Sequence, residues 1–369
     1  MTLDCRIASG PISRAWLLPL GCLLLGWLSP PVAAADRLVT SEGPLLGEVV
    51  GMTPEAVEFR EQGSKGRSQQ IPVDAIVTLS LQSEPSRVTE ARQLLEQGEF
   101  EAAAAVLAEV TPVELEVASA AVRGEHAYVT AAIAGRQAVA TGKDLAGGLA
   151  AVTDFLDRFS RSIHRFELIE LAGDLELAAG RPDAALASYR QLAQGPPSLA
   201  IRAARREGET LLALGKTAEA AAVLSAAAES PASDENSRRE RAAASIGEAS
   251  CLIRLDRPAE AVTQIRRLLA TMEPPAAADK EGQQQLGRAY ATLGRALLAN
   301  HQEQDGLIAY LTVDLVHSSD PDSHAEALYR LQELWDQGRY PQRASEARRR
   351  LEADYPESAW AARLRRPVH

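Results

Sequence analysis

Two stretches decide the fold: residues 173–189, GDLELAAGRPDAALASY, and residues 208–224, GETLLALGKTAEAAAVL. They share one register. Gly173 and Gly208 stand seven positions before Gly180 and Gly215; Ala185 and Ala220 stand five after, and Tyr189 and Leu224 nine after. A glycine leaves a helix through a left-handed cap at no steric cost. Two helices that cross closely need a residue without bulk on each at the crossing, and large apolar residues one turn away fill the space between them. Each stretch is therefore a helical hairpin centred on its glycine.

The register extends outward to turns at Gly98, Gly142, Asp256, His301 and Gly338, and successive turns are 44, 38, 35, 41, 45 and 37 residues apart. Seven positions before these turns stand Ala91, Gly135, Ala249 and Gly294, with Leu331 breaking the series. Large apolar residues precede the turns by three or four positions (Leu94 and Leu95, Leu211 and Leu212, Leu252 and Ile253, Leu297 and Leu298, Leu334 and Trp335). Ala103 and Ala261 follow by five, and Leu107 and Ile265 by nine. Pro197, Pro231, Pro274 and Pro356 punctuate the exits. Two units fit less well: Gly142 is followed by Gly147 and Gly148, and Gly338 by Pro341 and Arg343 where helix and alanine are expected. His301 is an unusual turn residue.

These residues resemble the tetratricopeptide repeat family, whose unit is about 34 residues long, and the resemblance covers about 280 of the 369 residues. It implies a mainly α fold, an α-solenoid of about seven helical hairpins. Leu351–Trp360, LEADYPESAW, is similar to a Tyr-Pro-x-Ser linker common in envelope-associated members. Carried over rung by rung, the family's groove positions fall on Glu167, Glu170 and Asp174, then Arg202, Arg205 and Glu209, then Ile246 and Ser250, Arg288 and Arg295, and finally Gln332 and Trp335. An acidic rung is thus followed by basic ones. Arginine pairs there would hold the carboxylates of an acidic peptide, or would simply be solvated.

Before the repeats, Leu38-Val39, Leu45 to Val50, Ala56 to Phe59 and Ile71 to Leu81 favour strands, separated by turn chemistry at Glu42-Gly43-Pro44, Thr53-Pro54 and Gln62 to Gly66. Four or five short strands predict a small antiparallel β module, weakly similar to SH3-like or Sm-like barrels. With only Phe59 as an aromatic wall it suits docking or capping better than an aromatic peptide groove.

The first 35 residues have the form of an export signal. Arg6 and Arg14 precede the apolar run Ala15–Leu28, a break at Ser29-Pro30-Pro31, and Val32-Ala33-Ala34-Ala35. Cleavage after Ala35 is expected; alternatively, the charge-free residues 15–35 anchor the chain uncleaved in a membrane. The expected domains are 1–35 signal, 36–83 β module and 84–366 helical repeats. Removing the signal leaves Cys251 as the one cysteine, so no internal disulfide forms.

Composition narrows the function. The net charge of −11 argues against nucleic-acid binding, and 4% aromatic residues make stacking platforms sparse. The usual nucleotide, hydrolase and zincin motifs are absent. His317-Ser318-Ser319-Asp320-Pro321-Asp322-Ser323-His324 holds two imidazoles and two carboxylates, but Pro321, Asp322 and Ser323 suit a helix-capping loop better than a metal site. The basic cluster Arg348, Arg349, Arg350, Arg363, Arg365 and Arg366 would neutralise Glu346, Glu352 and Glu357, or contact anionic lipid or polymer. No catalytic residue, cofactor, metal or small-molecule substrate is expected. The sequence points to an exported, non-catalytic scaffold that binds proteins or peptides in the periplasm or at the cell envelope. The alternatives are a membrane-anchored assembly or secretion factor and, more remotely, a metal-dependent enzyme around His317 and His324.

Overall fold

The turn glycines use their backbone freedom as expected. In the computed structural model, which describes residues 35–40, 43–231, 234–276 and 279–365, Gly98, Gly142, Gly180 and Gly215 take φ between 66° and 80°. Asp256 and His301 adopt the same left-handed conformation, at 60° and 56°, without glycine's licence. Residues 1–34 and Arg366 lie outside the described residues, so the export-signal and anchor readings fall there. Among the described residues no helix is long and apolar enough to cross a membrane.

The turns separate seven helical hairpins among the described residues. They are α1 (Ser86–Glu96) with α2 (Phe100–Leu107); then, after the short α3 (Pro112–Val117), α4 (Ala120–Thr141) with α5 (Leu145–Arg158); α6 (Arg165–Ala178) with α7 (Pro182–Leu192); and α8 (Pro197–Ala213) with α9 (Thr217–Ala228). Next come α10 (Glu235–Arg254) with α11 (Pro258–Thr271), α12 (Lys280–Ala299) with α13 (Glu303–Leu315), and α14 (Pro321–Gln337) with α15 (Pro341–Asp354); α16 (Ala359–Leu364) packs on α14. First helices also pack on first helices, α1 on α4, α4 on α6, α8 on α10, α10 on α12 and α12 on α14.

The crossings are as tight as the sequence demands. A Cβ on Gly173 would lie 2.4 Å from the Tyr189 ring, and one on Gly208 2.4 Å from Leu224 Cγ. The facing alanines, Ala185 and Ala220, are fully buried.

Two units depart from the expected frame. The seventh turn residue is Arg339, at φ 62°, and not Gly338, which stays right-handed. Arg339 N–H donates to the Asp336 carbonyl and Tyr340 N–H to that of Trp335, the same pair of cap bonds that Gly180 and Arg181 make. The register is set from the far side: the second helix begins two residues after the turn, and Pro341 opens α15 as Pro182 opens α7. Counted from Arg339, the buried alanine five positions on is Ala344. In the Gly142 unit a second left-handed residue, Asp144 at φ 50°, lengthens the turn by one. Gly148 and Val152 therefore take the places held elsewhere by the alanine and the large residue; Val152 lies 3.1 Å from a Cβ on Gly135.

The N-terminal strands form one antiparallel sheet in the order β4-β3-β2-β1-β5: β1 (Asp36–Thr40), β2 (Gly43–Met52), β3 (Ala56–Glu61), β4 (Gln69–Pro72) and β5 (Ile76–Ser80). The Ile71–Leu81 run is two strands, because Pro72 has no N–H to continue the ladder and Val73–Ala75 form a 3-10 turn. Asp36 ties β1 to β2 and to the residues after β5, accepting from Val49 N–H and Gln82 N–H, both at 2.7 Å. Leu38, Val57 and Phe59 are fully buried, and Ala118, Val122 and Ile163 from the helical region complete their core. The sheet is therefore fixed against the start of the solenoid.

Candidate functional site

Helical spacing places Glu167, Glu170 and Asp174 on one face of α6, and Arg202, Arg205, Arg206 and Glu209 on one face of α8. The structure brings these faces together. Arg206 Nε donates to Glu170 at 2.8 Å and its Nη2 to Asp174 at 3.2 Å, while Tyr189 Oη donates to Asp174 at 2.7 Å. Arg202 Nε and Arg205 Nε converge on Glu240 of α10 at 2.6 and 2.8 Å, and Arg205 Nη1 reaches Glu209 at 2.8 Å. Burial opposes ionisation of Glu240, but the two guanidiniums outweigh it and hold its carboxyl below the ordinary range. Ile246 is buried and Ser250 bonds within its own helix.

Toward the N-terminus the ladder goes underground. Glu125 of α4 is 3% exposed and is held by Arg92 Nη2 at 3.0 Å and His164 Nε2 at 3.0 Å. Arg92 also pairs with Glu84. His164 stacks flat on Tyr128, with ring centroids 3.5 Å apart, and Tyr128 Oη donates to Glu167 at 2.8 Å; Arg136 holds the same carboxylate. Burial would lower the basicity of His164, but the carboxylates of Glu125 and Glu167 outweigh it and raise its pKa to about 9. Burial likewise works against Glu167, yet His164, Arg136 and Tyr128 hold it at about 2.

Toward the C-terminus the guanidiniums are more open, although the carboxylates they meet are buried. Arg288 pairs with Asp320 at 2.8 Å and Arg295 with Glu326 at 3.3 Å. Trp335 lies under the Arg343 guanidinium at 4.7 Å and meets the edge of Tyr340. Each sequence-derived rung thus lies on a first helix, and all but Trp335 among the charged and aromatic ones are held by ion pairs.

The sequence frame missed the residues that join the rungs: Arg206, Glu240, Glu125, His164 and Arg136. Glu240 stands sixteen positions before Asp256 and six before Ile246, the first rung position of that unit, because α10 begins as early as Glu235. The pairing of Arg92 with Glu125 spans 33 residues and leaves no periodic mark.

The sheet roofs part of this face. A cavity of about 480 Å³ lies between β5 and the first helices, with Asp74, Val77, Glu96, Tyr128, Glu167 and Leu199 among its walls. Asn236 Nδ2, at the start of α10, donates to the Asp74 carbonyl at 3.0 Å, tying the turn before β5 to the fifth hairpin. A larger open groove, about 1450 Å³, runs along α9, α10 and α11 over alanines and guanidiniums.

The remaining chemical candidates are tied into structure. Cys251 is fully buried, and burial pushes its thiol up to about 11. The His317–His324 segment is a capping loop whose cap is Asp320, not Asp322 or Ser323: its carboxylate accepts from Ser323 N–H, with Pro321 first in α14. Its two imidazoles part company, His317 stacking on Tyr290 and His324 bonding Asp314 at 2.9 Å and Tyr355 Oη at 2.7 Å. In the basic C-terminus Arg348 pairs with Glu352, Arg349 with Glu346 and Arg350 with Asp314, while Arg363 lies over Trp360 at 4.3 Å.

No protein-family model matches the chain, and no curated protein matches it by sequence. Solved structures do match its fold. A tetratricopeptide repeat protein from Parabacteroides merdae superimposes over 77% of this chain and 98% of its own, at 15% identity and a TM-score of 0.52. The apo form of RapI superimposes over 76% of this chain and 79% of its own, at 11% identity and a TM-score of 0.52.

Proposed function

With a tetratricopeptide-like solenoid and a small antiparallel sheet as its fold, we propose that this protein is an exported, non-catalytic scaffold that holds protein or peptide partners at the cell envelope. The observation that carries this reading is the charged face of the first helices, the inner face of a stacked solenoid. Seven hairpins set a continuous series of charged rungs along their first helices, and stacked hairpins of this kind form extended binding surfaces. The rungs are prepaid in part: Arg202, Arg205 and Arg206 are already oriented by Glu170, Glu209 and Glu240, so a partner that exchanges one ion pair for another loses little side-chain freedom. The export part rests on the sequence of residues 1–35.

Two measurements test it. The N-terminal residue of the protein recovered from cells is expected to be Asp36; recovery with residues 15–35 intact in the membrane fraction would favour the anchored assembly factor. Partners captured from an envelope extract should be lost with an Arg202→Gln/Glu209→Gln variant that keeps the wild-type melting curve. Equal capture by the variant removes the inner face from the reading.

A further inference from the structure

The cavity under the sheet has a chemistry the ladder does not. We propose that it is a peptide site for a short extended segment carrying apolar and basic side chains. This deepens the scaffold reading and rests on it.

Three observations meet there. The volume, about 480 Å³, falls in the range of roughly 300–1,000 Å³ typical of ligand cavities. One wall is a sheet margin with no strand beyond it, since β5 ends the strand order. Its register against β1 passes from Val39↔Thr78 to Thr40↔Ile76, so Val77 is an extra residue that no β1 residue opposes. Val77 is 67% exposed and, with Leu199 across the cavity, offers an apolar clamp.

The third observation is the charge left over. Every cationic side chain in the cavity wall is engaged: Arg92 by Glu84 and Glu125, Arg136 by Glu167, Arg202 by Glu170 and Glu240, and His164 by Glu125. Asp74 and Glu96 also line it, and among the described residues neither carboxylate has an ion-pair partner. One stands on the sheet side and one on α1. The unspent charge of the cavity is negative, so the complementary occupant brings lysine or arginine. Because Asn236 fastens the Asp74 turn to α10, the occupant threads beneath the sheet and does not lie on an open surface.

The test is fluorescence anisotropy on the full chain with two labelled heptapeptides, one alternating valine with lysine and the other valine with glutamate. The lysine peptide should bind saturably and the glutamate peptide at least about tenfold more weakly. Asp74→Asn/Glu96→Gln, and separately Val77→Lys, should each weaken the lysine peptide by about tenfold, the equivalent of one or two charge-assisted contacts. Glu101→Gln/Glu219→Gln, which neutralises two exposed carboxylates elsewhere, should leave binding unchanged. All four side chains replaced in the cavity and control variants at positions 74, 96, 101 and 219 are exposed, so melting curves should overlay. Equal binding of the two peptides, no binding, or an equal loss in the control overturns the proposal. If the peptides fail while envelope partners are still lost with Arg202→Gln/Glu209→Gln, only this site falls; if both fail, the scaffold reading falls too.

Discussion

The inner face has two ends built from the same residue types and put to different use. At the N-terminal end, Glu125 sits at 3% exposure between Arg92 and His164. At the C-terminal end, Arg288 meets Asp320 with its own side chain 55% exposed. Both carboxylates are buried, but the guanidinium is buried with its partner in the first place and half-exposed in the second, and what decides a pair's worth is the cost of leaving one member alone. Ion pairing by itself does not mark a rung as available for a partner; exposure does.

The sharpest way to break this comparison is to remove one charge from each end. Glu125→Gln leaves His164 without its nearest carboxylate and Arg92 with Glu84 alone, in a buried setting, and should cost about 3–5 kcal/mol in urea unfolding, whereas Arg288→Gln removes a half-exposed guanidinium, leaves Asp320 its bonds from Ser323, and should cost less than about 1 kcal/mol. Equal losses would abolish the distinction between the two ends. The buried end should also be sensitive to pH. His164, raised to about 9 from an unfolded value near 6.5, contributes stability that is fully present below about pH 6.5 and is lost as pH rises through 9. Glu167, depressed to about 2, contributes above about pH 4.5 and fails as pH falls through 2. Melting temperature should therefore decline from about pH 6.5 to 9, and His164→Gln should flatten that limb while Arg288→Gln leaves its shape alone.

Smaller effects come from the crossings and turns that hold the rungs apart. Gly208→Ala pushes a methyl into Leu224 and should cost about 1–3 kcal/mol; a neutral result would mean the hairpin can open without loss. Arg339→Gly relieves a left-handed arginine and should add about 0.5–1 kcal/mol. A destabilised Arg339→Gly would return the turn to the position read from the sequence.

How far the sequence could be read follows from what kind of contact each feature makes. The Gly180 and Gly215 hairpins were legible because their crossing partners lie at fixed short offsets, Gly173 with Tyr189 and Gly208 with Leu224. Gly338 marks the last turn one residue early because glycine is the louder turn signal, although Pro341 stands two residues beyond Arg339 just as Pro182 stands beyond Gly180. The Gly142 unit looked irregular because Asp144 inserts one residue and displaces every later offset. The rungs at Glu170, Arg202 and Arg205 were found from the family pattern, but their partner Glu240 was not, since α10 extends well before the usual start. The burial of Glu125 and the roof over Glu167 depend on where the sheet comes to rest, a long-range contact between Asp74 and Asn236 that no local pattern encodes.

The central claim, that partners are held on the inner face, is tested most directly by photo-crosslinking in cells with p-benzoylphenylalanine in place of Val77, of Glu209 or of Ile308, the last 61% exposed on the second helix of its hairpin. Discrete partner adducts from positions 77 and 209, and none from 308, are predicted. Adducts from position 308 alone would contradict the account.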